Sequence, residues 1–303
     1  MSIVIEPIDD DLGPRPPSDP AEPARRSTFW RRFASRRSAV VALVFLAVVV
    51  VIAAFAPLFA PADPDAQNLR HVLEGPSGEY WLGTDELGRD VLSRLVFGAR
   101  VSLLAATEAV LVGIVLGVPV GLISGFFRGW FDAVASRVAD GVLSFPPLLL
   151  AIAIVGVLGP GLTNAMLAIG VVFSPRFFRV VRGSVLAVRE ETFVDAARTI
   201  GCTNARIIRS HVLPNVVSPL LIQIMLATGL GMLSEAGLSF LGLGVQPPDA
   251  SWGSMLGSSY RHVSRAPWQA VYPGVAIVTV VLACNMIGEG LRRGFRRRGE
   301  RQA

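Results

Sequence analysis

The chain has 303 residues, of which 52% are hydrophobic and 17% are charged, and its mean hydropathy is +0.54. This composition is too apolar for an ordinary soluble protein. All 28 basic residues are arginines, so the chain cannot be a P-loop ATPase or use a lysine amine in catalysis. Two cysteines exclude a disulfide framework and a cysteine-based zinc site.

The first 24 residues combine six prolines with acidic residues and contain little apolar material to offset chain entropy. We therefore expect a disordered tail and a basic segment in the cytosol over residues 1–37. The charge-free run 38–58 would extend about 32 Å as a helix, which matches a hydrocarbon core of about 30 Å. Because it exceeds a signal-peptide core of about 7 to 15 residues, it predicts a transmembrane helix rather than a cleaved leader.

A second charge-free stretch, residues 141–175, would be about 52 Å long as one helix, which is too long for a single crossing. Gly159, Pro160 and Gly161 interrupt it, so we predict two spans that reverse direction there. The chain then divides into an extracytoplasmic segment 59–100, a five-helix membrane domain 101–290 and a basic tail 291–303. The six predicted spans are residues 38–58, 101–125, the two halves of 141–175, 212–234 and 266–288.

The arginines predict the orientation of these spans. With the N-terminus in the cytosol, 22 of the 28 arginines lie in cytosolic segments and 6 lie outside. This positive-inside bias places both termini in the cytosol and explains the net charge of +5 without nucleic acid. The alternative, an unusually apolar soluble helical protein, would need a polar face on each helix.

A glycine recurs at every fourth position of the second span. Such a stripe lets another helix approach closely within a membrane. We interpret it as helix packing within this chain, and the alternative is contact with a second membrane subunit or a moving helix. The glycine stripe consists of Gly113, Gly117, Gly121 and Gly125.

Two carboxylates lie in or beside predicted spans, Glu108 within the second and Glu235 near the outer end of the fifth. Intramembrane carboxylates are costly and usually face a cavity or a partner. Both are therefore candidates for the substrate path. The alternative is that each is a structural residue bonded to a neighbouring helix.

The cytosolic loop between the fourth and fifth spans, about residues 182–214, contains Asp195-Ala-Ala-Arg-Thr-Ile-Gly201 and, nine residues later, His211-Val-Leu-Pro214. The small alanine pair and the glycine predict a short helix that ends in a turn. Pro175, Pro214 and Pro219 are expected to break the adjoining helices and isolate the loop from both spans.

This pattern resembles the EAA signature of the membrane subunits of bacterial ABC importers, with Asp195 where the family commonly has Glu. Two further stretches, LGTDELGRDVLSR from residue 82 and EAGLSFLGLGVQPPDASWG from residue 235, resemble the dipeptide and oligopeptide permeases of the DppC/OppC type. The resemblance covers roughly residues 30–290. The C-terminus departs from the family's usual Gly-Asp-x-Leu-Arg-Asp run, so only its cytosolic, cationic character is carried over, which suits anionic lipid headgroups.

The resemblance implies an all-α membrane protein of six transmembrane helices, with the type I ABC importer permease fold and a cytosolic EAA coupling helix. It implies a permease subunit for dipeptides or oligopeptides in the bacterial inner membrane, with no catalytic residue, metal or cofactor of its own. The implied partners are a homologous second permease in a heterodimer, ABC ATPases that bind ATP and Mg²⁺, an extracytoplasmic binding protein and membrane lipid. Nickel, glutathione, and haem or its precursors are the alternative cargoes.

The resemblance also assigns roles within the cytosolic loop. Arg198, Arg206 and Arg209 would face acidic groups of the ATPase, and packing of small and aliphatic residues would hold the dock. The apolar residues expected in the dock are Ala196, Ala197, Ile200 and Ile207. The full set predicted to couple to the ATPase is Asp195, Ala196, Ala197, Arg198, Ile200, Gly201, Arg206, Ile207, His211, Leu213 and Pro214.

The predicted outer segment 59–100 contains seven acidic residues and is large enough to contact a soluble binding protein. The candidate contacts are Asp85, Glu86, Arg89 and Asp90, and the equal alternative is a folded cap that only shields the outer mouth. An intramembrane enzyme is disfavoured, because the sequence has no His-Glu-x-x-His or Gly-x-Ser-x-Gly motif. A passive channel would not need the docking loop.

Overall fold

The computed structural model of the protein describes residues 25–295. Within that range the chain forms α-helices, one π-helix at Ile208–Val212, and no β-strand beyond an isolated bridge between Thr84 and Asp90. The predicted tail 1–24 and residues 296–303 lie outside the described residues. The helices are α1 (Arg25–Ala34), α2 (Arg37–Ala54), α3 (Ala56–Phe59), α4 (Val91–Phe127), α5 (Gly129–Leu143), α6 (Pro147–Leu158), α7 (Leu162–Arg189), α8 (Thr192–Thr199), α9 (Asn204–Ile207), α10 (Leu213–Phe240), α11 (Trp252–Tyr260) and α12 (Trp268–Phe295).

Five helical segments are long and apolar enough to cross a membrane by length and composition. They are α2, α4, α7, the continuous stretch from α9 through the π-helix to α10, and α12. The pair α5 and α6, bent by 94°, brings the number to six if it forms one span. The predicted all-α membrane fold is confirmed.

The bent pair differs from the predicted third span, which is the first half of the charge-free stretch 141–175. Helix α5 already begins at Gly129, and a break before Pro147 separates it from α6. Two consecutive prolines, Pro146 and Pro147, remove two N–H donors and disfavour the α conformation of the residue before each, so α5 ends ahead of them. The three charged residues of α5 exclude it from any search for charge-free stretches.

The predicted reversal between the third and fourth spans is present. Helix α6 ends at Leu158 and α7 begins at Leu162. Between them, Gly159 and Gly161 have φ angles of 90° and 144°, which residues with side chains rarely adopt. The two glycines therefore form the connection between the helices.

The expectation that prolines isolate the cytosolic loop is wrong. Helix α7 continues through Pro175 to Arg189, and the stretch from α9 to α10 continues through Pro214 and Pro219. Membrane helices tolerate proline where local changes of hydrogen-bond register satisfy the freed backbone groups. The π-helix that ends directly before Leu213 is such a change of register. The loop is thus joined to both spans by continuous helices.

Helix α4 begins at Val91, ten residues before the predicted start of the second span. Asp90 caps it, because the Asp90 carboxylate accepts a hydrogen bond from the Ser93 N–H at 2.7 Å. The additional turns, residues 91–100, extend the helix at its N-terminal end and connect the predicted span to residues 60–90. Position 101 is therefore inside the helix rather than at its end.

The glycine stripe of α4 packs against α7. A Cβ added to Gly117 would lie 2.8 Å from the Cβ of Phe177, and one added to Gly125 would lie 2.8 Å from the Cβ of Val185. Both α7 side chains are fully buried. The stripe accordingly packs within this chain, as in the first of its two interpretations, and α7 occupies the surface that a second subunit would need.

The basic segment before the first span is helical in its described part. Helix α1 packs on the C-terminal end of α12, where the rings of Phe29 and Phe295 lie 4.6 Å apart. Arg36 forms an ion pair with Glu289 of α12 at 3.1 Å. The N-terminal and C-terminal helices therefore meet on the predicted cytosolic side.

Candidate functional site

The structure places a short helix, α8, where the sequence predicts the coupling helix. It ends in a Schellman motif, because the Gly201 N–H donates to the Arg198 carbonyl at 2.9 Å and the Cys202 N–H donates to the Ala197 carbonyl at 3.0 Å. Gly201 has a φ of 81°, which glycine adopts without strain. Thr203 then caps α9 through its side chain. The chain therefore turns sharply between α8 and α9.

The two faces of α8 have different neighbours. Val194 and Ala197 are buried in the main hydrophobic cluster of the chain, as is Ile207 of α9. Ala196 is exposed, and Ile200 is 79% exposed. The prediction that Ala197 and Ile207 belong to the dock is therefore wrong, because these residues hold the loop against its own subunit. Ala196 and Ile200 remain available to a partner.

The charged residues predicted to couple to the ATPase are all exposed. Arg198 donates to the Asp195 carboxylate at 3.2 Å, and its guanidinium lies 5.9 Å from the centre of the Phe126 ring. Arg198 therefore already has contacts within the chain, although it is exposed like Arg206 and Arg209. Since the Asp195–Arg198 pair is itself largely exposed, it contributes little to stability.

The second half of the predicted motif spans the junction of the π-helix and α10. His211 is half-buried, and its ring centre lies 6.0 Å from that of Phe193 in α8. Leu213 is half-buried and Pro214 is exposed. This ring contact fixes α8 next to the beginning of α10.

Four polar contacts, which the sequence analysis did not predict, connect the loop and α7 to the segment α4–α5. Arg128 pairs with Glu190 at 2.7 Å, and Arg189 donates to the Phe126 carbonyl at 2.5 Å. In the third contact, Arg182 binds both carboxylate oxygens of Asp132, with Nη2 at 2.7 Å from Oδ2. In the fourth, Arg179 pairs with Asp140 at 2.6 Å. The acidic residues of α5 were the available signal, since carboxylates in a helix between two apolar spans need cationic partners.

The candidate contacts for a binding protein are mostly buried inside the chain. The Asp85 carboxylate accepts hydrogen bonds from the Leu87 and Arg89 N–H groups at 2.9 and 3.0 Å and from Arg89 Nε at 2.7 Å. Asp85, Arg89 and Asp90 are 7%, 7% and 4% exposed. Asp85 and Arg89 bind each other and Asp90 caps α4, so the prediction that these three residues contact a binding protein is wrong. Only the half-buried Glu86 retains some exposure.

The same segment, residues 60–90, forms a compact unit that we name the cap. Arg94 of α4 is buried under it and donates to the Pro64 carbonyl at 3.0 Å and to the Asp65 carboxylate at 3.1 Å. Gln269 of α12 donates to the Thr84 carbonyl. The cap is thus fastened to two helices, which favours the alternative of a folded cover. Sequence reasoning missed Arg94, although its position after Asp90 in the quoted motif marked it.

Glu235 does not line a path. It is 1% exposed and accepts hydrogen bonds from Ser239 at 2.7 Å and from Ser102 of α4 at 3.2 Å. The Ser102 hydroxyl also accepts a hydrogen bond from the Trp252 N–H at 3.1 Å. Glu235 thus joins α4, α10 and α11, which is the structural alternative and corrects its assignment to the substrate path.

Glu108 lies on the face of α4 opposite the glycine stripe. It is half-buried between exposed apolar residues, Leu104 and Leu111. Among residues 25–295 no group forms a hydrogen bond or ion pair with its carboxylate. Its role in a substrate path stays a prediction.

Two family models match the chain. One, described as "Binding-protein-dependent transport system inner membrane component", matches residues 117–301 and includes the whole coupling loop. The other, described as "N-terminal TM domain of oligopeptide transport permease C", matches residues 26–76. This chain belongs to the binding-protein-dependent transport system inner membrane components. The predicted resemblance to ABC importer permeases is confirmed.

Curated relatives extend the similarity over nearly the whole permease. The dipeptide transport system permease protein DppC of Alkalihalophilus pseudofirmus is 43% identical over 286 residues, which are 93% of this chain and 94% of the relative. The glutathione transport system permease protein GsiD of Shigella flexneri serotype 5b is 44% identical over 268 residues, 87% of this chain and 88% of the relative. These relatives are transport permeases, which supports a role in transport rather than catalysis.

A solved structure shares the fold of the permease. An inward-facing structure of the MetNI methionine ABC transporter matches with a TM-score of 0.56 and 22% identity, covering 67% of this chain and 97% of that chain. The predicted ABC importer permease fold is thus confirmed. The chain is a multi-pass permease subunit of an ABC importer, and the family description places such subunits in the inner membrane.

Proposed function

We propose that this chain forms one half of the translocation pathway of a peptide importer and pairs with a homologous second permease. Its cargo is a dipeptide or another short peptide, supplied by an extracytoplasmic binding protein. The observation that supports this cargo is the 43% identity to a dipeptide permease over almost the full length of both chains. The arginine distribution supports cytosolic N- and C-termini.

Cytosolic ATPases, which bind ATP and Mg²⁺, dock on the exposed face of α8. The apolar Ile200 side chain is 79% exposed there, while Val194 behind it is fully buried. An exposed aliphatic residue on an element that is rigidly held from behind is typical of a protein interface. Because α8 is connected to α7 and α10 by short links, movement of the docked ATPase is transmitted to both spans.

Glutathione is the second candidate cargo. The observation that favours it is the 44% identity to a glutathione permease. Dipeptides and glutathione share an ammonium group and free carboxylates, so the same pathway chemistry would serve either. Uptake of radiolabelled dialanine and of glutathione by the assembled transporter distinguishes them. Uptake of neither, by an assembly that includes its binding protein and hydrolyses ATP, would contradict the peptide proposal.

The docking step is tested by Ile200→Asp. We expect this variant to insert in the membrane but to lose the ATPase during purification in mild detergent, because a charge replaces the apolar contact. Val263→Asp is the matched control, since Val263 is 42% exposed on the predicted outer side. Retention of the ATPase by Ile200→Asp would show that the dock lies elsewhere.

A further inference from the structure

On one face of α7, the residues before Arg176 are buried and those after it are exposed. Residues seven and four positions before it on that face, Ile169 and Val172, are 1% and 4% exposed. Residues seven and eleven positions after it, Gly183 and Ala187, are exposed, and a Cβ added to Gly183 would have no neighbour within 4 Å. In the orientation proposed above, this face is sealed toward the outside and accessible from the cytosol.

Arg176 lies far inside the span. It is 14 residues from the start of α7 at Leu162, which corresponds to about 21 Å along the helix. If the hydrocarbon core, which is about 30 Å thick, begins at Leu162, Arg176 lies in its inner third. The predicted fourth span ended at Pro175, and the continuation of α7 to Arg189 therefore places this arginine inside a span.

Arg176 differs from the two other arginines on the same part of α7. Arg179 pairs with Asp140, and Arg182 pairs with Asp132. Within residues 25–295 no carboxylate pairs with Arg176, whose guanidinium lies 5.7 Å from the centre of the Phe173 ring. The aromatic ring attracts the cation but accepts no conventional hydrogen bond, so the guanidinium donors need another acceptor.

A cation in a membrane span is costly unless it faces a cavity, water or an anionic partner. The exposed face that begins at Arg176 leaves its guanidinium open to such a partner, and the planar guanidinium matches a carboxylate with two parallel hydrogen bonds. We propose that Arg176 is an anion-binding residue at the top of the inner vestibule of the pathway and binds a carboxylate of the passing cargo. The identity of that carboxylate rests on the proposed peptide function.

The first experiment tests whether Arg176 faces water. Arg176→Cys, Val172→Cys and Ala187→Cys are made in a Cys202→Ser background, and a membrane-impermeant methanethiosulfonate is added to inside-out vesicles that contain the assembled transporter. Labelling of each position is quantified by mass spectrometry. We expect positions 176 and 187 to react and position 172, one turn further out on the same face, to react about tenfold more slowly. Protection of position 176 as strong as that of 172 would overturn the proposal.

The second experiment tests the anionic preference without any cargo. Gly183→Cys serves as a reporter, and its labelling rates with an anionic and a cationic methanethiosulfonate are compared. Arg176→Gln should lower the ratio of anionic to cationic rates about threefold, because it removes the local positive potential. Arg100→Gln removes an exposed arginine on the predicted outer side and should leave the ratio unchanged. An unchanged ratio in Arg176→Gln would contradict an anion site.

The third experiment measures transport of dialanine by the assembled transporter. Arg176→Gln should lower uptake about tenfold, whereas Arg176→Lys, which keeps the charge, should lose less. Binding of the ATPase should persist in both variants. Wild-type uptake by Arg176→Gln would overturn the proposal, and so would loss of the second permease, which would assign Arg176 to the subunit interface. If the wild type carries neither dialanine nor glutathione, the proposed cargo fails, while the labelling experiments still decide whether Arg176 faces an anion-attracting vestibule.

Discussion

The cap and the coupling loop are both short segments with quoted family motifs and several charged residues, yet the chain uses those charges in opposite ways. In the cap, Asp85 and Arg89 are each 7% exposed and satisfy each other. In the coupling loop, Asp195 and Arg206 are exposed, and the buried residues are apolar ones such as Val194. The cap motif therefore builds the subunit, while the loop motif presents a surface.

This difference has a physical origin. Buried ions require several hydrogen bonds each, and the cap supplies them from backbone N–H groups and neighbouring guanidiniums. An exposed interface must instead tolerate water before the partner arrives, so its charges stay solvated and its rigidity comes from apolar packing behind it. A charged motif alone therefore does not indicate a docking site, and burial decides which of the two roles it has.

The largest effect that separates the two regions is expected for Asp85→Ala. The change leaves the buried guanidiniums of Arg89 and Arg94 without their shared carboxylate, and the loss of one member of a buried ion pair costs about 3 to 5 kcal/mol. We expect a marked fall in thermal stability of the detergent-purified subunit. Glu79→Ala, at an exposed acid of the same cap, should change stability by less than about 0.5 kcal/mol.

The same variant can break the comparison. If Asp85 were a contact for the binding protein, Asp85→Ala would keep the stability of the wild type and lose only the stimulation of ATP hydrolysis by the binding protein. Measuring both quantities on one preparation separates the structural role from the docking role.

An intermediate effect is expected for Gly201→Pro in the coupling loop. Proline requires a φ near −65° and has no N–H, whereas Gly201 has a φ of 81° and donates to the Arg198 carbonyl. The turn after α8 should be lost, at a local cost of about 3 kcal/mol. Co-purification of the ATPase should then be abolished while all spans remain inserted.

Gly201→Asn is the matched control for that change, because asparagine tolerates a positive φ better than other non-glycine residues. It should retain most of the ATPase. Normal ATPase binding by Gly201→Pro would mean that the turn does not position the dock. The coupling loop would then no longer differ from the cap by presenting a fixed docking surface.

The sequence predicts most of the fold, because spans are recognised by length and scarcity of charge. Helix α5, most of which precedes the predicted third span, was missed, since its carboxylates are neutralised by arginines of α7, which no scan along one chain can detect. The prediction that prolines break the helices beside the loop failed for a related reason, because the π-helix before Pro214 changes the hydrogen-bond register locally. In the site, the sequence located the loop, but it could not tell the buried Ala197 from the exposed Ala196 without the tertiary packing.

The smallest effect on stability is expected for Asp195→Ala. This variant tests directly whether the charges of the coupling loop act differently from those of the cap. The Asp195 side chain is 68% exposed, and its one ion pair among residues 25–295 is with Arg198 of the same helix at 3.2 Å, so its loss should change subunit stability by less than about 1 kcal/mol. The measurement is the concentration of ATPase needed for half-maximal binding, with thermal stability determined in parallel. A shift of no more than about fivefold is expected if Ile200 supplies the dock, since an exposed ion pair adds little affinity. A much larger shift with unchanged stability would show that the carboxylate itself is buried by the ATPase, and the loop would then resemble the cap, with the partner completing its ion pairs.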